Sequence, residues 1–340
     1  MDILLLIGIA IVVGLIGGKI GNRLKSPAIV GYILTGLILG PSILGVFQLD
    51  LLGRMGAISD LALGLIAFVI GSHLPLGLLR KMGGRVVTIT VVQLFGAFIV
   101  VALGVYLLTY ELYLALIFGA LATATAPAGT VVVLQEYKAK GTLTDMLLAV
   151  VGLDDALAIV VYGFAAVLAK LFIVGKSGIS FHSTVAGLLT EIGGALLLGA
   201  VLGIVLAYLA RIMRGRGELL ALSLGVIFTC VGVANSLHLS LILANMTLGM
   251  VVASAFPRAS RRTLDVIEGI TPPVYVVFFV TAGAYLQLGL LPQMGLLGLI
   301  YILCRVAGKM SGAYLGASIS KAPSTIRKYL GFGLLSQAGV

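Results

Sequence analysis

The sequence predicts an all-α polytopic membrane protein, and three observations carry that prediction. Of the 340 residues, 60% are apolar and 10% are charged, and the mean hydropathy is +1.21. A soluble fold of this size has no interior large enough to hide that apolar surface, so lipid must solvate it. The apolar residues form runs as long as transmembrane helices, and the 46 glycines allow the close packing of such helices.

Eleven full spans and the beginning of a twelfth are predicted, each from an apolar run. The full spans are 3–21, 28–46, 57–72, 87–109, 112–134, 144–171, 184–210, 218–235, 239–256, 263–286 and 293–315, and the twelfth begins near residue 330. The twelfth stops about halfway across the bilayer. A helix cannot end in hydrocarbon with its last carbonyls unpaired, so we expect the natural protein to be longer.

The net charge of +10 reflects membrane topology and does not indicate a nucleic-acid partner. Most lysines and arginines lie in alternate loops, so the positive-inside rule assigns those loops to the cytoplasm and the N-terminus to the outside. The basic loops contain Lys19, Arg23 and Lys25; Arg80, Lys81 and Arg85; Lys138 and Lys140; Arg211, Arg214 and Arg216; Arg258, Arg261 and Arg262; and Lys321, Arg327 and Lys328.

Two adjacent carboxylates, Asp154 and Asp155, lie in the middle of the apolar run LLAVVGLDDALAIVVYGFAAVLA. One charge at the centre of a bilayer costs at least ~2.5 kcal/mol. A chain keeps such a pair mainly where it binds a proton or a cation. We therefore take the pair as the centre of a candidate site.

Two spans are interrupted at mid-depth, where polar and helix-breaking residues replace the apolar run. Proline removes a backbone donor, and glycine and threonine make unwinding easier. Paired interruptions in two halves of a chain are typical of inverted-repeat transporters with a site at the midplane. The residues concerned are Thr125, Pro127 and Thr130 in the span 112–134, and Ser336, Gln337 and Gly339 in the twelfth.

Two cations lie inside the span 293–315, with Lys309 near mid-depth and Arg305 one turn before it. Neighbouring residues on a helix point about 100° apart, so Asp154 and Asp155 need different partners. We expect Lys309 to pair with Asp154, because pairing lessens the desolvation cost of both groups. The sequence leaves open whether Arg305 extends to the interface or pairs with a carboxylate.

Asp155 is then expected to face a water-filled cavity, where a proton and a cation compete for it. Oxygen ligands suit hard cations. Na⁺ or Li⁺ would bind at Asp155 with backbone carbonyls near Thr125, and with Thr130 as a further candidate. The alternative is a buried ion pair that only fixes helix packing, but that alternative leaves Asp155 without a partner.

An intramembrane protease and a cation channel are the two alternatives to ion exchange. An intramembrane protease also uses paired aspartates, but two adjacent aspartates on one helix cannot both flank a scissile bond, so we expect no enzyme. A cation channel would lack strict coupling to protons. Cys230 and Cys304 lie inside spans, which indicates neither a disulfide framework nor a metal cluster, and no cofactor is expected.

The stretch GLDDALAIVVYGF resembles the aspartate pair of the monovalent cation:proton antiporter superfamily, of the sodium/proton exchanger type. Three further stretches are similar to this family: RLKSPAIVGYILTGLILGP (23–41), ATATAPAGT (122–130) and GKMSGAYLGA (308–317). The final GLLSQAGV (333–340) resembles the beginning of the family's second crossing helix.

The resemblance implies an inverted-repeat antiporter fold with two crossed discontinuous helices, in a homodimer of thirteen-helix subunits. Residues 1–340 would form one membrane transport domain. Core elements are expected near 57–171 and 293–340, and dimerisation or scaffold elements near 1–46 and 184–286. Ions would cross by an elevator-like movement of the core.

The resemblance also implies roles for individual residues. Asp155 would be the main ion and proton carrier, Asp154 its neighbour and Lys309 the partner of Asp154. Arg305, Pro127 and Gln337 would be accessory residues.

An aspartate pair implies the electrogenic branch that exchanges Na⁺ (or Li⁺) for H⁺ and serves pH homeostasis. K⁺/H⁺ exchange is the alternative within the same fold. The expected location is a prokaryotic cell (inner) membrane.

Overall fold

The computed structural model describes residues 3–174 and 181–337, and within these residues the chain is helical and has no strand. Gly339, assigned above to the second interruption, lies outside the described residues. The helices are α1 (Ile3–Arg23), α2 (Ala28–Leu39), α3 (Leu49–Arg54), α4 (Gly56–Ser72), α5 (Leu76–Thr109), α6 (Leu112–Leu121), α7 (Pro127–Glu136), α8 (Thr142–Val174), α9 (Phe181–Ile212), α10 (Arg216–Ser236), α11 (Leu241–Ala255), α12 (Pro257–Glu268), α13 (Thr271–Ala284), α14 (Leu291–Ile319) and α15 (Ser324–Gly333).

Each predicted full span overlaps one helix or two helices separated by a short break. The helices α6 and α7 occupy the interrupted span 112–134, and α12 and α13 form a second pair, bent by 50°. Six helices in the described residues are long and apolar enough to cross a membrane, or seven spans if the bent pair is one. The prediction of an all-α polytopic membrane protein is confirmed.

The second predicted span, 28–46, is wrong at its C-terminal end. Helix α2 ends at Leu39, and Gly40 is extended, with φ −70° and ψ 175°. Gly40 precedes Pro41, and the residue before a proline is kept out of the helical region by a clash with the proline ring. The apolar residues that follow fold back, so that the Phe47 N–H donates to Leu39 O at 2.9 Å.

The twelfth predicted span begins earlier than expected, because α15 starts at Ser324 and ends at Gly333. Pro323 occupies its N-cap position, where a missing N–H costs little and the fixed φ angle suits entry into a helix. The residues after Gly333 leave the helix.

Helices α5 and α14 lie against each other along most of their length, and glycines on α14 make this possible. Gly308, Gly312 and Gly316 recur every fourth residue, the small-residue spacing that lets membrane helices approach closely. A Cβ atom would lie 2.8 Å from Ala97 Cα at Gly308, 2.7 Å from Gln93 Cα at Gly312 and 2.9 Å from Ile89 Cα at Gly316. This contact fixes α14, and the charged residues on it, against α5.

The helices form two groups by their contacts. In one group α5 and α14 pack together, α6 packs on α5 and α8, and α15 packs on α14 and α8. In the other, α1, α2 and α13 pack together, and α11 packs between α4 and α9. The groups meet where α7 contacts α2 and α4, and where α8 contacts α9.

The α5–α14 contact predicts that Gly312→Ala destabilises the protein. The new methyl group would overlap the α5 backbone, and overpacking of this kind costs about 1–3 kcal/mol. The melting temperature in detergent should therefore fall. Gly232→Ala on α10 is the matched control, since a Cβ there meets nothing within 4 Å. Equal melting temperatures for the two variants would contradict the close contact.

Candidate ion-binding site

The first interruption lies where the sequence predicts it, between the end of α6 at Leu121 and the start of α7 at Pro127. Proline at the first position of a helix gives up only a backbone donor that has no partner there anyway. Ala126, the residue before it, is extended, with φ −75° and ψ 104°, as expected before a proline. The carbonyls of Thr123 and Ala124 therefore accept hydrogen bonds from side chains outside these two helices.

The segment after α15 lies against this interruption, so the two breaks satisfy each other's polar groups. The Ala126 N–H donates to Ser336 O at 2.9 Å, and the Thr130 and Ser336 hydroxyl oxygens are 3.1 Å apart. Gln337 Nε2 donates to Leu121 O at 3.2 Å. Irregular backbone at membrane depth needs partners of this kind within the protein.

Lys309 is fully buried beside the first break and forms an ion pair with Asp154, which is also fully buried. Lys309 Nζ lies 3.0 Å from Asp154 Oδ2. It also donates to Thr123 O at 2.5 Å and to Thr125 Oγ1 at 2.8 Å. An ammonium group has three N–H donors, so each has an acceptor. The Asp154–Lys309 contact expected from the sequence is present.

Asp154 is held by two further donors. The Thr125 hydroxyl donates to Asp154 Oδ2, and Gln93 Nε2 on α5 donates to Oδ1 at 2.6 Å. Both carboxylate oxygens are thus engaged, and a buried charge with a complete set of partners is tolerated where an incomplete set would be costly. Sequence reasoning did not single out Gln93, although an amide inside the apolar span 87–109 was a signal.

Arg305 takes neither of the roles that the sequence left open, because its guanidinium binds backbone carbonyls of both interruptions. Nη1 donates to Leu335 O at 2.7 Å, and Nη2 donates to Ala124 O at 2.8 Å and to Ser336 O at 3.3 Å. The side chain is 4% exposed. Carbonyls at the C-terminal ends of half-helices carry partial negative charge, which a cation offsets.

Asp155 lies outside this network and lines a cavity of about 620 Å³. Its Oδ2 atom is buried and has no hydrogen-bond partner among the described residues. An unsatisfied buried carboxylate oxygen is rare in proteins and calls for an explanation such as a bound ion or water. The cavity is lined by Ala120, Leu121, Ala124, Asp155, Ala158, Ile159, Tyr162, Gly163, Leu188, Glu191, Leu239, Ser240, Leu241 and Ile242.

The hydroxyl groups of Thr125 and Thr130, the two threonines that the sequence predicts near the ion, form hydrogen bonds within the breaks. Thr125 Oγ1 bonds to Asp154 and Lys309, and Thr130 Oγ1 donates to Ala126 O at 3.1 Å besides its contact with Ser336. The structure therefore brings Thr125, Asp154 and Lys309 together, while Asp155 faces the cavity beside them.

Helix α7 also contacts the other group of helices through its last residues. Gln135 Nε2 donates to Glu268 Oε1 at 3.0 Å, and His73 Nε2 lies 3.1 Å from the same oxygen. The Glu136 carboxylate accepts the Ala28 N–H at 3.0 Å, at the N-terminus of α2, where a helix dipole favours an anion. These contacts join residues far apart in the chain, so no sequence pattern pointed to them.

Comparison with known proteins agrees with this architecture. The family model described as "Sodium/hydrogen exchanger, transmembrane" matches residues 7–340. A Na⁺/H⁺ antiporter of Enterococcus hirae is 25% identical over 99% of this chain and 87% of its own length. The high-affinity Na⁺/H⁺ antiporter NhaS3 of Synechocystis sp. is 26% identical over 79% of this chain and 65% of its own length.

Two solved structures share the fold. Both are of the sodium proton antiporter MjNhaP1 from Methanocaldococcus jannaschii, one of them at pH 8. They superpose with TM-scores of 0.76 and 0.78 at 23% and 21% identity, over 98% of this chain and 83% and 84% of theirs. With a family match over almost its whole length, the chain belongs to the sodium/hydrogen exchanger family, a family of cation:proton antiporters.

Proposed function

We propose that the protein exchanges Na⁺, or Li⁺, for H⁺, and that the metal ion and the proton compete for Asp155. One contrast carries the proposal: Asp154 is saturated by Lys309, Thr125 and Gln93, whereas Asp155 lines a cavity and its Oδ2 has no hydrogen-bond partner among the described residues. Membership in a transporter family confirms the prediction that the chain is not an enzyme. The Na⁺/H⁺ antiporters similar to it support sodium as the exchanged ion.

The ligands that we propose for Na⁺ are the Asp155 carboxylate and backbone carbonyls of the first break near Thr125. Ala120, Leu121 and Ala124, just before Thr125, line the same cavity as Asp155. Carboxylate and carbonyl oxygens are the ligand type that hard cations prefer. We assign Thr130, Pro127, Arg305 and Gln337 to holding the breaks together, because their contacts lie there. The proposal includes no cofactor.

The cavity is proposed to open to the outside. Its lining includes Leu239 and Ser240 in the turn between α10 and α11 and the first half of α9. These segments lie at the ends of their helices opposite the basic loops, and the positive-inside rule assigns the basic loops to the cytoplasm. On that orientation the N-terminus is external, in a prokaryotic cell membrane.

We propose elevator-type alternating access between the two groups of helices. The moving core would comprise α5, α6, α7, α8, α14 and α15, and the remaining helices would form the scaffold of a homodimer. The sequence-based expectation placed residues 57–72 in the core, but they lie in α4, and the packing of α4 on α11 favours the scaffold instead. The bonds of Gln135 to Glu268 and of Glu136 to Ala28 would then close the cytoplasmic side while Asp155 faces outwards.

The central test replaces Asp155 by Asn. In proteoliposomes with a pH-sensitive dye, the wild-type protein should dissipate an imposed pH gradient with Na⁺ or Li⁺ but not with K⁺. The variant should fall to the rate of empty vesicles, because the amide neither exchanges a proton nor offers a charged ligand. Asp145→Asn on the first turn of α8 is the control and should keep wild-type exchange.

Three outcomes would overturn parts of this proposal. Wild-type exchange by Asp155→Asn would remove Asp155 from the mechanism. Gradient collapse by K⁺ alone would favour K⁺/H⁺ exchange. Ion currents far faster than antiporter turnover, without proton coupling, would identify a channel.

A second prediction concerns the buried pair. Lys309→Gln leaves Asp154 charged and uncompensated, which should lower stability by about 3–5 kcal/mol. The double variant Asp154→Asn/Lys309→Gln should recover part of that loss, because no lone charge remains. Thermal unfolding in detergent measures both. A single variant as stable as the wild-type protein would contradict the pair's structural role.

The Lys309→Gln variant also tests whether Lys309 is only the partner of Asp154 or carries a proton itself. All three N–H donors of Lys309 are bonded, so residual exchange by Lys309→Gln should keep the wild-type Na⁺/H⁺ coupling ratio. A changed ratio, measured from the equilibrium of the two gradients, would instead identify the lysine as a proton carrier.

A third prediction addresses the cytoplasmic closure. Glu136→Gln weakens a charged hydrogen bond to Ala28, an interaction worth about 1.5–3 kcal/mol, and should populate the inward-facing state. A cysteine placed at Ala128, which is buried on α7, should then react several-fold faster with an impermeant thiol reagent applied from the cytoplasmic side. Cys230 and Cys304 are replaced by Ala in this background.

Glu218→Gln is the control for that experiment. Glu218 lies in the first turn of α10, next to a basic loop, and accepts a hydrogen bond from the N–H of Gly215, the N-cap residue of the same helix. An equal change of labelling in both variants would show a general effect of surface charge, and the proposed closure would fail.

A further inference from the structure

We propose that Glu191 on α9 recruits external cations to Asp155, as a positioning residue of the scaffold. The inference rests on the proposed exchange of cations at Asp155. The sequence analysis did not single out Glu191, although a carboxylate inside the predicted apolar span 184–210 was a signal. The structure places it in the wall of the cavity that holds Asp155.

Direct contact between α8 and α9 defines the depth of Glu191. A Cβ atom at Gly163 of α8 would lie 2.6 Å from the Leu188 side chain of α9, so the helices touch at this level. Glu191 follows Leu188 by about one helical turn, and Asp155 precedes Gly163 by about two. On the other side, a Cβ at Gly194 would lie 2.7 Å from the Leu239 side chain. Glu191 therefore sits between two fixed contacts, in the outer part of the cavity.

The charge of the cavity favours a cation. Asp155 and Glu191 are the charged members of the lining set, and the set contains no lysine or arginine. The rest are apolar or hydroxyl-bearing residues and a glycine. Low-dielectric walls around charges of one sign focus the field and raise the local concentration of counter-ions. A second carboxylate above Asp155 would thus concentrate Na⁺ in front of it.

Glu191 forms no ion pair with the described residues that would account for its place in the span. A half-buried carboxylate in a membrane span is costly and is kept mainly for ion pathways. The Asp155 carboxylate, which lines the cavity and whose Oδ2 has no hydrogen-bond partner among the described residues, is the independent sign that a ligand binds there. Glu191 and Asp155 together form an entry path for the cation, which meets Glu191 first and Asp155 second.

Because the core is proposed to move relative to the scaffold, Glu191 should affect Na⁺ binding from one side of the membrane only. Asp155 belongs to the core and Glu191 to the scaffold, so the two share a cavity only while the core faces outwards. Glu191 would therefore raise the affinity for external Na⁺ and leave uptake from the cytoplasmic side unchanged. A residue with a purely structural role would affect both sides alike.

The test compares right-side-out with inside-out membrane vesicles that contain the full chain. Glu191→Gln should raise the KM for Na⁺ about fivefold on the external side, the order of effect of one unit charge acting over roughly 10 Å of partly solvated protein. KM on the cytoplasmic side and the maximal rate should stay at wild-type values. Glu191→Asp should restore most of the external affinity, and the defect should shrink at high ionic strength set with an impermeant organic salt.

Glu111→Gln is the matched control, because Glu111 is an exposed carboxylate at the start of α6, on the same side of the membrane but outside the cavity lining. It should leave KM unchanged. An unchanged external KM in Glu191→Gln, an equal shift on both sides, or an equal shift in Glu111→Gln would each overturn the inference. Absence of Na⁺-driven proton flux in the wild-type vesicles would instead overturn the proposed function itself.

Discussion

The buried ion pair between Lys309 and Asp154 is the interaction on which the rest of the site depends. Each charge alone would be costly at this depth, and each is stabilised only because the other is there with its hydrogen bonds complete. The pair joins α14 to α8. Thr125 joins it to the first break, and Gln93 joins it to α5. Four elements thus meet at one carboxylate, and the glycines of α14 bring the lysine close enough to reach it.

The interruptions depend on the same helix. Lys309 and Arg305, one turn apart on α14, bind consecutive carbonyls of the first break, at Thr123 and Ala124. Arg305 also binds two carbonyls of the second. Unwinding a helix at membrane depth frees backbone groups that lipid cannot satisfy. The two buried cations supply the N–H donors that the freed carbonyls need. One helix therefore stabilises both breaks and neutralises the carboxylate between them.

Much of this architecture could be predicted, and what could not be predicted has physical reasons. Hydropathy predicts the spans because side chains that contact lipid must be apolar. The Asp154–Lys309 contact is predictable because opposite buried charges must pair. The early end of α2 at Gly40–Pro41 was missed because the next residues are apolar. The carbonyl contacts of Arg305 depend on backbone geometry that no side-chain pattern records. The bond between Gln135 and Glu268 joins residues far apart in sequence, so it required the packed helices.

The adjacency of Asp154 and Asp155 acquires a physical meaning in this setting. Because neighbouring side chains on a helix point about 100° apart, one turn of α8 presents two different surfaces. Asp154 points to α5 and α14, where every partner is fixed, and Asp155 lines the cavity between α8 and α9. On the proposed function, an ion can enter and leave at Asp155 without disturbing the network that holds the breaks. Separating the two tasks by a single residue keeps the stabilising charge and the exchanging charge close enough to interact, yet bound to different partners.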